Sequence, residues 1–249
     1  MTIATKSFIG KGTIYAEEIG GSTGLLPLGN CSTLDLAFNE DKKEQKDFED
    51  AGGAVVNTVS RISSVTASLT VLNMNAQNIA LALRGLVNSV AASAVAAETH
   101  TAHTDGFILF NKLLDSSQAV TVTGTGGVPS YTQGTDWILK NNGIVIPSTG
   151  AIPDAATLEV NYNSLASFEV EGLTASGKEY RMVFDGLNEA DSGKPVSVQG
   201  HRIKFNPTQA LSLISDDFGS LPLTFDLLKD ENIIGAGLSK FIKITSPQG

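Results

Sequence analysis

TLDLAFN at positions 33–39 and VTASLTV at positions 65–71 decide the fold class of this chain. Both runs alternate apolar and polar residues with a period of two, which predicts strands with one buried face. The apolar positions are Leu34, Leu36, Phe38, Val65, Ala67, Leu69 and Val71. The alternate positions are Thr33, Asp35, Asn39, Thr66, Ser68 and Thr70. We therefore predict two half-buried strands whose apolar side chains pack inside the domain.

A charged segment joins these two strands and is followed by two glycines. Its members include Glu40, Asp41, Lys42, Lys43, Glu44, Lys46, Asp47, Phe48, Glu49 and Asp50. A hairpin usually closes with about two to five residues, so this connection is long. It is either a solvated loop or an arm that orders against another subunit. Because six acids outnumber three lysines, we predict that the arm is disordered in the free subunit.

One helix is predicted directly after the second strand. Asn73 or Asn75 can cap its N-terminus, and Gly85 can close its C-terminus. The helix is short, so it needs a sheet to pack against. Residues 87–104, rich in alanine, serine and threonine, are interpreted as a weak helix or a mobile linker.

The pattern of strand-like runs and turns in the sequence changes between residues 113 and 164. Short strand-like runs alternate with glycine-containing turns there, and Asn142-Gly143 between apolar runs is a strong hairpin signal. From residue 166 onward, longer alternating runs return. We predict a main domain formed by residues 1–112 and 166–249, with a small all-β module at 113–165 inserted on its outside.

Composition excludes several classes of protein. The net charge of −9 argues against a general nucleic-acid binder, which needs a basic surface. The single cysteine, Cys31, excludes an intramolecular disulfide framework. No run approaches the roughly 20 apolar residues of a membrane span, and residues 1–6 lack the apolar core of a signal peptide. We expect a soluble protein made in the cytoplasm, with no membrane binding by the monomer.

The sequence offers only weak candidates for chemistry. His100, His103 and Asp105 have a spacing that could hold a metal, but no fourth ligand is evident. The glycine-rich run at 124–127 follows a strand but precedes Val-Pro instead of a helix, so it is interpreted as a turn. His201 has no readable catalytic partner. We therefore predict no catalytic, cofactor-binding or metal-binding residues, and no enzymatic activity.

Several stretches together resemble the major tail tube proteins of long-tailed, non-contractile bacteriophages. The resemblance covers the main domain, and the module at 113–165 departs from the minimal family core. It rests on LGN at 28–30, the charged arm at 40–50, GG at 52–53, RISSV at 61–65, NIALALRG at 78–85 and EYRMVFDG at 179–186.

The resemblance implies a mainly β fold of sandwich or barrel type with one short packed helix, a long inter-subunit loop and the inserted β module. It implies a structural virion protein, assembled in the host cytoplasm, whose hexameric rings stack into a tube that passes viral double-stranded DNA. The charged arm would then order between rings. Implied partners are other copies of the chain, a tape measure protein in the lumen during assembly, and tail terminator and tail tip proteins at the ends.

If each of six subunits supplied four strands, the closed barrel would have a circumference of roughly 115 Å before tilt. Such a bore can pass a duplex. The residues predicted to line it are Asp35, Thr66, Ser68, Thr70, Glu179 and Asp185. Small polar and negative groups would let DNA slide past. Two alternatives stay open: an inner tube protein of a contractile tail or secretion needle, and a monomeric all-β binding module.

Overall fold

A computed structural model describes residues 7–49, 51–175 and 177–247. The first elements are β1 (Gly10–Glu18), β2 (Leu26–Pro27), β3 (Cys31–Lys46), β4 (Val55–Val71), α1 (Ala76–Ala82), β5 (Leu86–Val90), β6 (Ser93–Thr101), β7 (Phe107–Leu109) and β8 (Thr121–Gly124). The remaining strands are β9 (Ser130–Tyr131), β10 (Ile138–Lys140), β11 (Gly143–Val145), β12 (Thr157–Ser164), β13 (Ser167–Glu171), β14 (Tyr180–Asn188), β15 (Lys194–Phe205), β16 (Leu221–Leu227) and β17 (Ile242–Thr245). The prediction of a mainly β protein is confirmed.

The chain divides into two compact units. The first comprises the described residues of Met1–Val87 and Val170–Gly249, and the second is Asn88–Glu169. In the first unit, one antiparallel sheet runs in the order β2-β1-β14-β15-β16-β4-β3, and β17 also pairs with β15. Within the described residues, no helix has the length and apolar character needed to cross a membrane.

The core of the first unit lies on one face of this sheet. Its buried members are Ile14, Leu28, Val65, Ala67, Leu69, Val71, Ala82, Met182, Ile203, Phe205, Leu221, Leu223, Phe225 and Leu227. The alternation in β4 and β16 puts every second side chain into this cluster, and each large apolar one contributes about 1.5–3 kcal/mol. Leu34 and Leu36 pack against the cluster as predicted. The prediction for Phe38 is wrong: this residue is 56% exposed, because β3 is an edge strand of the sheet.

Helix α1 follows the predicted capping pattern. The Asn75 side chain accepts a hydrogen bond from the backbone N–H of Asn78 at 2.8 Å. The buried Asn78 amide donates to the Leu28 carbonyl at 2.8 Å, so its polar group is satisfied inside the core. The left-handed residue after the helix is Arg84 (φ 47°), not Gly85. The Arg84 guanidinium donates to the carbonyl of Phe205 at 2.7 Å, which ties the helix end to β15.

The hairpin of β3 and β4 is much longer than predicted. Cys31 pairs opposite Val71, and the ladder continues, with three irregularities, to Lys46 opposite Val55. Residues 40–46 are therefore strand, so the prediction that the arm is disordered in the free subunit is wrong for these residues. The cause is the partner strand, whose valines, threonine and isoleucine favour extended backbone opposite the charged residues. The two strands end at Lys46 and Val55, and the Asp47 N–H donates to the Ala54 carbonyl just beyond them.

The second unit contains two small antiparallel sheets. One has the order β10-β11-β7 and the other β6-β12-β8-β9. Between them lies a core of Ala102, Ile108, Phe110, Leu114, Val120, Val122, Trp137, Ile144, Ile146, Ile152, Leu158, Val160 and Tyr162. The indole N–H of Trp137 donates to the Tyr131 carbonyl at 3.1 Å, so this large buried side chain has no unpaired polar atom.

The second unit starts earlier than the predicted boundary at residue 113. Residues 87–104 are not a weak helix or a linker: they contain most of β5 and all of β6. Strand β6 pairs with β12 along most of its length, from Ser93 opposite Ser164 to Thr101 opposite Thr157. Because β12 lies inside the predicted module, β6 belongs to the same unit. Strands β5 and β13 cross the two chain boundaries and pair with each other.

Candidate functional site

Four of the predicted lumen residues lie together on one face of the sheet of the first unit. In the β3–β4 ladder, Asp35 is opposite Ser68, and Thr66 and Thr70 lie in the rows on either side. These side chains point away from the core, since Ala67, Leu69 and Val71 between them are buried. We call this surface the polar face; its members are Thr33, Asp35, Thr66, Ser68, Thr70, Thr224 and Asp226.

Three members of the polar face were not predicted to line the lumen: Thr33, which the alternation places on this side of β3, and Thr224 and Asp226. Thr224 lies opposite Ser68, and Asp226 lies opposite Thr66, because β16 pairs with β4 on the side away from β3. The signal was present in the LPLTFDL alternation of β16, which places Thr224 and Asp226 opposite its buried positions. Only the pairing of β16 with β4 shows that they share a face with Ser68 and Thr66.

Hydrogen bonds on the polar face are few and join neutral groups or a single carboxylate. The Thr33 hydroxyl donates to the Thr70 hydroxyl at 3.1 Å, and the Asn206 amide donates to Asp226 at 3.3 Å. The surface therefore presents small hydroxyls and two carboxylates. Such groups offer no cation to a phosphate, so they repel a nucleic-acid backbone weakly and do not hold it.

The other two predicted lumen residues lie on a different part of the sheet. Asp185, on β14, is opposite Thr13 of β1 and Ser197 of β15. Glu179 accepts two hydrogen bonds from the Arg202 guanidinium, at 2.6 and 2.7 Å. These hydrogen bonds from Arg202 hold the pKa of Glu179 below its usual range. Glu179 is thus neutralised by a partner, unlike the free acidic group that the sequence suggested.

The distal half of the β3–β4 hairpin projects beyond the rest of the sheet. Strand β16 pairs only with 65–71 of β4, so within the described residues the outer edge of 55–64 has no strand partner. The side chains from Asn39 to Lys46 and from Val55 to Ser64 are all exposed. We call residues 39–64 the hairpin projection. A two-stranded ribbon with both edges free is marginal in water by itself, so its pairing needs further support.

The predicted arm residues divide between the strand and the turn of this projection. Glu40, Asp41, Lys42, Lys43, Glu44 and Lys46 lie in β3. Asp47, Phe48 and Glu49 belong to the turn, and Asp50 lies outside the described residues. The Phe48 side chain is 90% exposed, and Val56 of the facing strand is 66% exposed. An apolar tip with free strand edges is the kind of surface that a protein partner covers.

The three residues considered as metal ligands, His100, His103 and Asp105, do not form one site. The ring Nε2 of His100 lies 2.7 Å from a carboxylate oxygen of Glu98, whereas Nδ1 of His103 is 4.0 Å from Asp154. Asp105 instead accepts the backbone N–H of Ser148 at 3.0 Å. Across the described ranges, no group of three histidine, cysteine or carboxylate side chains is placed to hold a metal ion.

Comparison with known proteins identifies one family. Residues 7–245 match the family described as Protein of unknown function UCP028589. Because the match covers nearly the whole chain, the chain belongs to this family. No curated protein matches the sequence.

Proposed function

We propose that this member of the family is a structural virion protein of a long-tailed, non-contractile bacteriophage. In this proposal its hexameric rings stack into the hollow tail tube through which viral DNA passes into the host. The residues that resemble tail tube proteins lie in the first unit, which carries both the polar face and the hairpin projection. The second unit would decorate the tube.

The observation that supports this proposal most is the hairpin projection. It is a paired ribbon that continues well past the sheet, and its side chains are exposed along both strands. A monomer gains nothing from ordering so many residues in water, since backbone ordering costs about 1–2 kcal/mol for each residue. Another copy of the chain could pair with the free edges and cover the exposed valines and phenylalanine.

The polar face supports the proposed conduit. Its threonines and serine are short and neutral, and its two carboxylates repel phosphate. A lumen that bound DNA tightly would stop transport. The members of the polar face carry no cation, and one cation, Lys204, lies beside it, opposite Asp226 on β15. Under the proposal, a tape measure protein would occupy the lumen during assembly, and terminator and tip proteins would bind the two ends.

Electron microscopy of the purified, concentrated protein tests the proposal. We expect hollow tubes or stacked rings, and light scattering should show growth with concentration. A protein that remains monomeric at every concentration would contradict the proposal and would favour a monomeric binding module. Tubes that acquire a contractile sheath in infected cells would instead favour an inner tube of a contractile tail.

A further inference from the structure

An open cleft lies between β1, the second strand from one end of the sheet in the first unit, and β3, the strand at the other end. It has a volume of about 620 Å³ and is lined by residues of β1 and β3, which do not pair with each other. Its apolar lining includes Ile14, Leu34, Leu36 and Phe184, and Cys31 lies in the same wall. The volume is within the range of about 300–1,000 Å³ that occupied pockets usually have.

The same unit carries a loop whose large apolar side chains have no cover. Between β15 and β16, Leu213 is 79% exposed, Ile214 is 95% exposed and Phe218 is fully exposed. Single exposed apolar residues are common, but three within six positions form a patch that normally marks an interaction site. Asp216 and Asp217 lie inside this patch, so the loop combines an apolar ridge with two negative charges.

We propose that this loop docks into the β1–β3 cleft of a second copy of the chain. The cleft has a suitable size and offers apolar side chains together with Thr33 and Asp35 of the polar face. On its rim, Lys11 makes no ion pair with the described residues and could receive one of the two aspartates. Asp35 lies on the β3 side of the cleft, so the aspartates should face the β1 side, where Lys11 is.

Because the loop and the cleft are different surfaces, the contact is head-to-tail. Each copy then keeps one free loop and one free cleft, and repetition leads to a ring or a filament. The inference rests on the proposed function in naming the subunit contact within the assembly. It is nevertheless testable by itself, since it predicts which two surfaces of neighbouring copies touch.

Cysteine cross-linking tests the contact directly, because Cys31 already lines the cleft and is the only cysteine in the chain. Ser215→Cys places a second thiol between Ile214 and Phe218 without removing an apolar side chain. Treatment with a short bismaleimide should give a ladder of dimers, trimers and larger species. Peptide mapping should identify a link between positions 31 and 215. Adding Cys31→Ser should abolish the ladder, and Ala236→Cys on another exposed loop should give none.

A second set of variants tests how much the apolar side chains of the loop contribute to the free energy of assembly. The triple variant Leu213→Ser, Ile214→Ser and Phe218→Ser loses three buried apolar contacts, so the concentration needed for assembly should rise by at least about a hundredfold. The control Ile234→Ser with Leu238→Ser removes two other exposed apolar side chains and should assemble like the wild type. Both variants should retain the wild-type circular dichroism and Tm.

The outcomes separate this inference from the proposed function. Tubes of the Ser215→Cys variant that show no 31–215 link between copies would overturn the docking contact and leave the tube proposal intact. A link confined to a single chain would also overturn it, because the loop would then cover its own cleft. A wild-type protein that is monomeric at every concentration, together with a Ser215→Cys variant that gives no ladder, would contradict both.

Discussion

At the scale of single residues, the second unit contains a charged group that is almost enclosed. The Glu98 carboxylate accepts hydrogen bonds from the Tyr162 hydroxyl at 2.7 Å, from the Asn111 N–H at 3.0 Å and from His100 Nε2 at 2.7 Å. Burial raises the pKa of Glu98, but these hydrogen bonds outweigh it and leave the pKa below its usual value of 4.5. Burial and the bond to Glu98 raise the pKa of Tyr162 to about 12, so its hydroxyl stays a donor.

This arrangement gives a pH-dependent prediction. A carboxylate whose pKa is lowered by folding stabilises the folded state above its unfolded pKa, and this contribution is lost as the pH falls through the folded pKa. Glu98→Gln should therefore destabilise the second unit at pH 7 by about 1.5–3 kcal/mol, because charge-assisted hydrogen bonds are lost. Calorimetry should show its Tm lowered by roughly 5 °C or more.

The difference from wild type should shrink as the pH is lowered from 5 to 3, since Glu98 then takes up a proton. The matched control is Glu169→Gln, which removes an exposed carboxylate with no hydrogen bond to the described residues and should leave Tm unchanged. His100 is hydrogen-bonded to Glu98, so His100→Gln should be measured over the same range. A loss of stability in Glu98→Gln that does not vary with pH would contradict the assigned role of the charge.

The partner of His100 illustrates what could be predicted at this scale. The spacing of His100, His103 and Asp105 suggested a metal site, yet the nearest group to His100 is Glu98, two residues earlier on the same face of β6. A spacing of two is the signature of a strand neighbour. The relation was hidden because residues 87–104 were interpreted as a helix or linker, so the period of two was not applied to them.

At the scale of elements, the alternation of apolar and polar residues predicted the part of the β3–β4 hairpin at 33–38 and 65–71. It missed the part at 40–46 and 55–62. In 33–38 and 65–71 the apolar residues recur every second position, and Leu34, Val65 and Leu69 pack as expected. Residues 40–46 contain only charged and amide side chains, which are rare in strands. Their extended backbone depends on pairing with 55–62, a relation between two segments that one segment cannot reveal.

The hairpin projection should be required for assembly and dispensable for folding. Linking Asn39 to Ser64, which face each other in the ladder, through Asn-Gly removes 40–63 and retains every buried residue of β4. We expect a folded monomer with a Tm close to the wild type and no tubes in electron micrographs. The control replaces only the turn between Asp47 and Ala54 with Asn-Gly and keeps the paired strands. If the first variant still formed normal tubes, the projection would not be an assembly contact.

At the scale of the whole molecule, the boundary of the second unit can be tested by two deletions. Joining Val87 to Val170 through a glycine linker removes the unit as the structure defines it, and the core of the first unit is retained. This variant should fold and polymerise. Removing 113–164 instead leaves β6 without β12 and uncovers Val95, Ile108 and Phe110. The second variant should aggregate in size-exclusion chromatography. Equal behaviour of the two deletions would contradict the boundary at 88.

The composition of the unit explains why its core was predicted but its start was not. Asn142-Gly143 and the surrounding alternation predicted a compact β module, and β11 with Ile144 lies in its core. Strand β6 is separated in sequence from β12 by more than fifty residues. Its alanines and threonines give little alternation, so its membership depends on a pairing that the local sequence does not encode.

The polar face provides the last prediction, which concerns the whole assembly. Thr66→Lys, Ser68→Lys and Thr70→Lys place three cations on each subunit, on side chains that point away from the core. Tubes should still assemble with a Tm near that of the wild type. Each lysine can capture a phosphate, so DNA delivery by phage carrying these tubes should fall. The loss should ease at higher salt, because screening weakens the attraction.

The control adds the same charge elsewhere, at exposed positions of the second unit, through Ser116→Lys, Gln118→Lys and Thr149→Lys. Phage with these tubes should deliver DNA normally. Undiminished delivery by the first variant would contradict a lumen on the polar face, and failure to assemble would indicate that this face is a contact between subunits.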